Sequence, residues 1–319
     1  MAEPLHPFDE HRHRLPDGRH LACSCVGDPA AHDVLLCLPG LLETRRSFDA
    51  VLQAAQSHAG LHVLALDPAG RGDSSPLADD TGYSMARYLA DIRHLIATEW
   101  MHGPPRRLHV LGTSMGGILG MYLAGDSTLL VHTLILNDVG LSFYWVSMYG
   151  LYDGMKRGLA PITPEALAAQ LGVTPGVLRA VQSPAHFDLP YRKDWKGMRF
   201  AQVLQHYSGA VRLVHGSASG VCLDAQVQEL RQHVAYARVL TVEGAGHPVP
   251  FTPEVCDFVL ADLVVAVPAS SSATERMPED LAPPMDSATS PASPSHPACV
   301  VAPEKPRHGW WRWLRDKFR

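Results

Sequence analysis

Charge of one sign is not in excess in this 319-residue chain: 27 Lys and Arg stand against 32 Asp and Glu, for a formal net charge of −5. Nucleic-acid binders need a basic stripe to neutralise phosphates, and none crosses the body of the sequence. Long apolar runs are also missing; no stretch reaches the roughly 18 residues that a membrane-spanning helix needs. Met1 to Gly18 is polar and carries Pro4, Pro7 and Pro16, which argues against a secretory leader. Cysteines number only six and show no C-x-x-C spacing. With Cys37, Cys222 and Cys256 inside apolar patterns, buried free thiols and a cytoplasmic setting are expected.

What remains is a chain rich enough in apolar residues (46%) for a large core. Short apolar runs near 20–26, 33–38, 62–67, 108–112, 132–138, 210–215 and 237–242 read as strands. Helical patterns fall near 47–58, 84–101, 115–125, 222–233 and 252–265, and Thr252-Pro253-Glu254 is a helix start with proline at the first position. Strand and helix alternate from about residue 60. That order predicts an α/β fold, a mostly parallel sheet of the eight-stranded type with helices on both faces. His11 and His13, in the polar N-terminal stretch, read as a solvated strand edge or an adventitious metal binder; no metal site or cofactor is expected.

The densest signal is Leu108-His-Val-Leu-Gly112-Thr113-Ser114-Met115-Gly116-Gly117, followed at once by a helical pattern. Strand, sharp turn and helix meet at G-x-S-x-G, where strand and helix pass too closely for large Cβ substituents. Ser114 is therefore the candidate nucleophile, held out at the carboxyl edge of a sheet. The strand run from Val34 breaks at Pro39-Gly40, and the amide of Leu41 beyond it can pair with that of Met115 to hold an oxyanion. Two further strands run into tight loops: His62 to Asp67, continuing through Gly70-Arg71-Gly72, and Ala237 to Glu243, continuing through Gly244-Ala245-Gly246-His247-Pro248.

With these four motifs in this order, residues 12 to 265 resemble the α/β-hydrolase fold family, in its single-domain branch of serine esterases, carbon–carbon hydrolases and haloperoxidase-like proteins. The resemblance implies that His247 is the general base. It also implies an aspartate after the strand Ala210–Gly216, yet Gly220 stands there. Asp138, at the end of the strand beginning at His132, is the first choice for the missing acid, because neighbouring strands lie only ~4.8 Å apart. Asp224 is the second, and a chain with no acid is the third reading. Asn137-Asp138 could also simply turn the chain.

Between residues 141 and 207 the alternation stops. The family inserts a helical cap there, and helices are expected near 143–157 and after Thr163-Pro164 and Thr174-Pro175. Tyr144, Trp145 and Met148 are the candidates for facing substrate. The expected organisation is a hydrolase domain over 1–267, with core 12–140 and 208–267 and cap 141–207. A Pro/Ser/Ala-rich disordered linker over 268–308 and an amphipathic segment over 309–319 follow. That last segment holds three of the chain's six tryptophans, and Trp310, Trp311, Arg312, Trp313, Arg315 and Phe318 make it a candidate for docking on a membrane, a granule or a protein. The expected function is a serine hydrolase acting on a small carboxylic ester or thioester, or on a carbon–carbon bond. The alternative is a catalytically impaired scaffold localised by its tail.

Overall fold

Continuous burial, rather than alternating burial, marks the central strands, as parallel strands covered on both faces require. The computed structural model describes residues 8–79, 82–101, 106–144, 163–181, 184–187 and 197–264. Its strands are β1 (Asp9–Arg14), β2 (His20–Val26), β3 (Asp33–Leu38), β4 (Leu61–Leu66), β5 (Arg107–Thr113), β6 (Val131–Asn137), β7 (Ser142–Tyr144), β8 (Gly197–Arg199), β9 (Ala210–Gly216) and β10 (Arg238–Val242). Eight of them form one sheet in the order β1-β2-β4-β3-β5-β6-β9-β10. Pairing is parallel from β4 to β10, while β1 and β2 add an antiparallel edge.

Helices cover both faces. They are α1 (Asp49–Ala55), α2 (Met85–Trp100), α3 (Met115–Ala124), α4 (Pro164–Leu171), α5 (Pro175–Ala180), α6 (Asp224–His233) and α7 (Pro253–Leu260). On one face Leu35, Cys37, Val63, Ala65, Leu111, Ile135 and Val214 pack with Val51 and Leu52 of α1 and with Val255 and Val259 of α7. Each such side chain contributes about 1.5–3 kcal/mol on burial. On the other face α3 lies on β5 and β6 so closely that a Cβ at Gly120 would sit 3.0 Å from Leu134.

The threonine–proline starts behave as the sequence predicts. Thr163, Thr174 and Thr252 each accept a hydrogen bond from the amide three residues on, with proline next in the chain. The last helix stops at Leu260 rather than 265, because Ala261 turns to extended backbone and Asp262 takes φ 53°. The expected helix near 143–157 needs correcting at its start. Residues 142–144 are strand β7, paired antiparallel with β8, and the remainder lies outside the described residues. His11 and His13 do lie on the edge strand β1, but His13 is buried, with its Nδ1 2.8 Å from Glu99 Oε1. The five described cysteines are buried and free. No helix among the described residues is long and apolar enough to cross a membrane. The linker and terminal segment expected after residue 267, with Trp310, Trp311, Arg312, Trp313, Arg315 and Phe318, lie outside the described residues.

One buried ion pair ties the sheet to its loops. Asp67, at the end of β4, is inaccessible, and its carboxylate accepts from the backbone amide of Arg45 (2.7 Å), the Arg45 guanidinium and the Asp73 amide (3.1 Å). Gly72, at φ 48°, passes so close that a Cβ would lie 2.0 Å from Asp67 Oδ2. The loop from 67 to 74 is thus wrapped around one carboxylate.

Burial disfavours the charged form of three histidines inside the fold. Burial draws His109 down to about 4 and His186 to about 3, and it lowers His62 as well. An unfolded histidine titrates near 6.5, so below that pH the unfolded chain binds protons that the folded chain refuses. Stability should therefore fall as pH drops from about 6.5 towards 4. Urea unfolding at pH 5.0 should show a loss of about 1–2 kcal/mol for each of His109 and His186 relative to pH 7.5. Replacing His109 by Gln should flatten that slope.

Candidate active site

Ser114 occupies the turn between β5 and α3 with φ 50° and ψ −113°, a region that a non-glycine residue enters only when its surroundings hold it there. Its N–H donates to the Asn137 carbonyl (3.1 Å), and its own carbonyl accepts from the amides of Gly117 (2.9 Å) and Ile118 (3.1 Å). The flanking glycines are required by contact. A Cβ at Gly112 would lie 2.3 Å from the Gly116 carbonyl, and one at Gly116 would lie 2.0 Å from the Leu38 carbonyl oxygen. Met115 is the first residue of α3, so its N–H has no acceptor within the helix.

Asp138 follows β6 directly, with φ 57° and no solvent exposure. Its N–H donates to the Val214 carbonyl (2.8 Å), which sets the turn. Oδ1 accepts from the Gly216 amide (3.1 Å), and Oδ2 accepts from the Ser219 hydroxyl (2.6 Å). His247 Nδ1 lies 2.7 Å from the same Oδ2. Asp138 therefore both turns the chain and contacts the His247 imidazole.

Asp224 does neither. Its side chain is 94% exposed at the start of α6, where it pairs with His215 Nε2 at 3.1 Å. The second choice for the acid is corrected by this placement. Ser219, beside the glycine at 220, donates its hydroxyl to Asp138 Oδ2 and caps the amides of Val221 and Cys222 (both 3.1 Å).

Ser114 and His247 line one cleft of about 230 Å³, together with Gly40, Leu41, Met115 and Pro248. Its wall is mostly apolar: Leu42, Ile118, Phe143, Leu171 and Phe187. Leu41 and Met115 thus line the same cleft as the serine and the histidine. Tyr144 does not line this cleft; Phe143 does, because neighbouring residues of a strand point to opposite sides. Trp145 and Met148 lie outside the described residues.

Sequence reasoning missed one polar group in the wall. The Glu43 carboxylate lies in the cleft and accepts the Gly40 amide at 2.8 Å. Burial pushes its carboxyl above the usual range, while the Gly40 amide and the nearby His247 and Arg71 act the other way. Only the spacing of Glu43 beyond the Pro39-Gly40 break could have pointed to it.

A sequence profile of the α/β-hydrolase fold matches residues 33–163. The chain is 32% identical to a 3-hydroxybutyrate-oligomer hydrolase of Cupriavidus necator over 276 residues, covering 74% of this chain and 90% of that one. Among solved structures, an α/β-hydrolase from Novosphingobium aromaticivorans aligns with a TM-score of 0.61 at 21% identity, covering 79% of this chain and 96% of that one. An esterase from Rhodococcus sp. ECU1013 aligns with a TM-score of 0.56 at 19% identity, covering 78% and 95%. The sheet order, the turn at Ser114 and this 32% identity over nine-tenths of a curated hydrolase lead to one conclusion: the chain belongs to the α/β-hydrolase fold family.

Proposed function

We propose that the chain is a serine esterase whose substrates are short oligoesters of hydroxy acids. The observation that carries this reading is the 2.7 Å contact from Asp138 to His247, in the cleft that His247 shares with Ser114. Asp138 holds the imidazole by Nδ1, which leaves Nε2 to take the Ser114 proton as Oγ attacks the ester carbonyl. The Leu41 and Met115 amides receive the oxyanion. His247 then gives its proton to the departing alcohol, leaving the acyl group on Ser114. Water attacks that acyl-enzyme with His247 again as base, and the acid is released.

The substrate class draws on the relative that hydrolyses 3-hydroxybutyrate oligomers and on the apolar cleft wall. Thioesters would engage the same residues. The scaffold alternative rests on glycine at 220 and on the C-terminal segment, and the carboxylate that Asp138 offers to His247 weakens the first of these grounds.

A panel of variants tests the assignment. Ser114→Ala should abolish labelling by a fluorophosphonate probe and all ester turnover. Asp138→Asn should lower kcat by roughly 10⁴-fold, whereas Asp224→Asn should leave it within about twofold, as is usual for exposed side chains. Equal losses in the two aspartate variants would sink the assignment of the acid. For the substrate, kcat/KM on a 3-hydroxybutyrate dimer or trimer should exceed that on a butyryl thioester; the reverse order would move the class to thioesters.

We also propose that Trp310 to Arg319 form a docking segment for an apolar surface. Deleting residues 268–319 should leave kcat on a small ester unchanged and reduce co-sedimentation with poly(3-hydroxybutyrate) granules. Unchanged co-sedimentation would remove the docking role.

A further inference from the structure

A guanidinium without solvent contact or a carboxylate partner needs a reason to be retained, because a buried unpaired charge lowers stability where an apolar side chain would not. Arg71 is such a group. It is 0% exposed, and its Nε is buried with no acceptor. Nη1 donates to the Gly40 carbonyl at 3.4 Å and Nη2 to the Met115 sulfur at 3.6 Å, while the guanidinium carbon lies 5.0 Å from the centre of the Tyr88 ring. Among the described residues none of these contacts is an ion pair. Arg45 makes the contrast, since Asp67, Asp73 and Glu10 all pair with it.

The two groups that Arg71 touches adjoin the two amides proposed to face the oxyanion: the Gly40 carbonyl shares a peptide with the Leu41 N–H, and the sulfur belongs to Met115 itself. Gly40 C=O and Leu41 N–H share one planar trans peptide, so they point in opposite directions. Holding the carbonyl towards Arg71 aims the Leu41 N–H away from it. Glu43 clamps the same residue, accepting the Gly40 amide (2.8 Å) and donating its own N–H to the Gly40 carbonyl (3.3 Å). The Met115 side chain carries the second contact. Burial pulls the Arg71 guanidinium below its ordinary range, and the nearby Asp67 and Glu43 oppose that pull. An arginine still stays charged under such conditions.

We propose that Arg71 is a positioning residue for the oxyanion hole: it sets the Gly40–Leu41 peptide and keeps a positive charge behind the point where negative charge develops. This rests on the reading of Leu41 and Met115 given above. The charge acts when the carbonyl oxygen becomes an oxyanion and has little to act on in the neutral ester, so it favours the transition state over the bound substrate. The backbone of Arg71 also bridges Val173, so a side-chain replacement leaves that pairing in place.

The test uses Arg71→Met and Arg71→Lys in the full chain. Three quantities are read: kcat and KM on an ester, the inhibition constant of a trifluoromethyl ketone, and Tm. In that inhibitor adduct Ser114 Oγ bonds to the ketone carbon, its proton passes to His247, and the ketone oxygen becomes the bound oxyanion. In Arg71→Met, kcat should fall by about tenfold to a hundredfold, less than the loss of a direct oxyanion donor. KM should stay within about twofold and the inhibitor constant should rise in parallel with the loss in kcat. Tm should be equal or higher, because a buried unpaired charge has gone. Arg71→Lys should lie between. Unchanged kcat and inhibitor affinity in folded Arg71→Met overturn the proposal. So does a fall in kcat matched by a lower Tm with no selective loss of inhibitor, which is the pattern of a packing residue. Wild-type labelling by a fluorophosphonate, measured first, separates the two levels: without it the serine-hydrolase reading fails and this proposal with it, whereas labelling with unaltered Arg71→Met kinetics removes this proposal alone.

Discussion

The close approach of α3 to the end of β3 is the constraint on which the site depends. At Gly116 the helix backbone lies against the Leu38 carbonyl, where a Cβ would intrude to 2.0 Å. That contact places the start of α3 beside the Pro39–Glu43 loop, and so sets Ser114 next to the amides around it. Because the contact is backbone against backbone, no rotamer change could relieve a larger residue there. The strained turn at Ser114 survives because three backbone hydrogen bonds determine it from both sides. Local strain and long-range packing are here one arrangement.

Electrostatics divides the loops at the carboxyl edge into two kinds. Around Asp67 and Arg45 every charge has partners, and the result is a firm anchor for the loop that carries Gly70 to Gly72. Four residues beyond Asp67 the same loop delivers Arg71 into the interior, where its hydrogen bonds among the described residues go to the Gly40 carbonyl and the Met115 sulfur. Backbone hydrogen bonds from Gly72 N–H to Gly172 O (2.7 Å) and from Thr174 N–H to Gly70 O (2.8 Å) extend this anchor to the segment that holds α4 and α5.

Much of this was legible in the residues, and the limits follow from physics. Strand runs and helix starts are local patterns, so β3, β4, β5 and α3 were placed within a residue or two. Ser114 and His247 were readable because a turn motif and a strand-end loop mark them. For the acid the sequence offered Asp138 first, Asp224 second and no acid third, since the contact of Asp138 with His247 and the exposure of the Asp224 side chain belong to the fold alone. Tyr144 was misread because a three-residue strand inside an aromatic stretch carries too little periodicity to be told from a helix. Glu43 and Arg71 were invisible for a different reason. Their significance lies in contacts with the Gly40 peptide, made across 3 and 31 positions of chain, and neither residue type at that spacing announces them.

Glycine at 220 is not demanded by its surroundings. A Cβ there would meet nothing within 4 Å, and its backbone is not held in a conformation reserved for glycine. The position at which the resemblance places the family's acid is therefore open, and a side chain added there would displace nothing. Room for a side chain at 220 thus exists in the fold itself, and a substitution there would be free of packing cost.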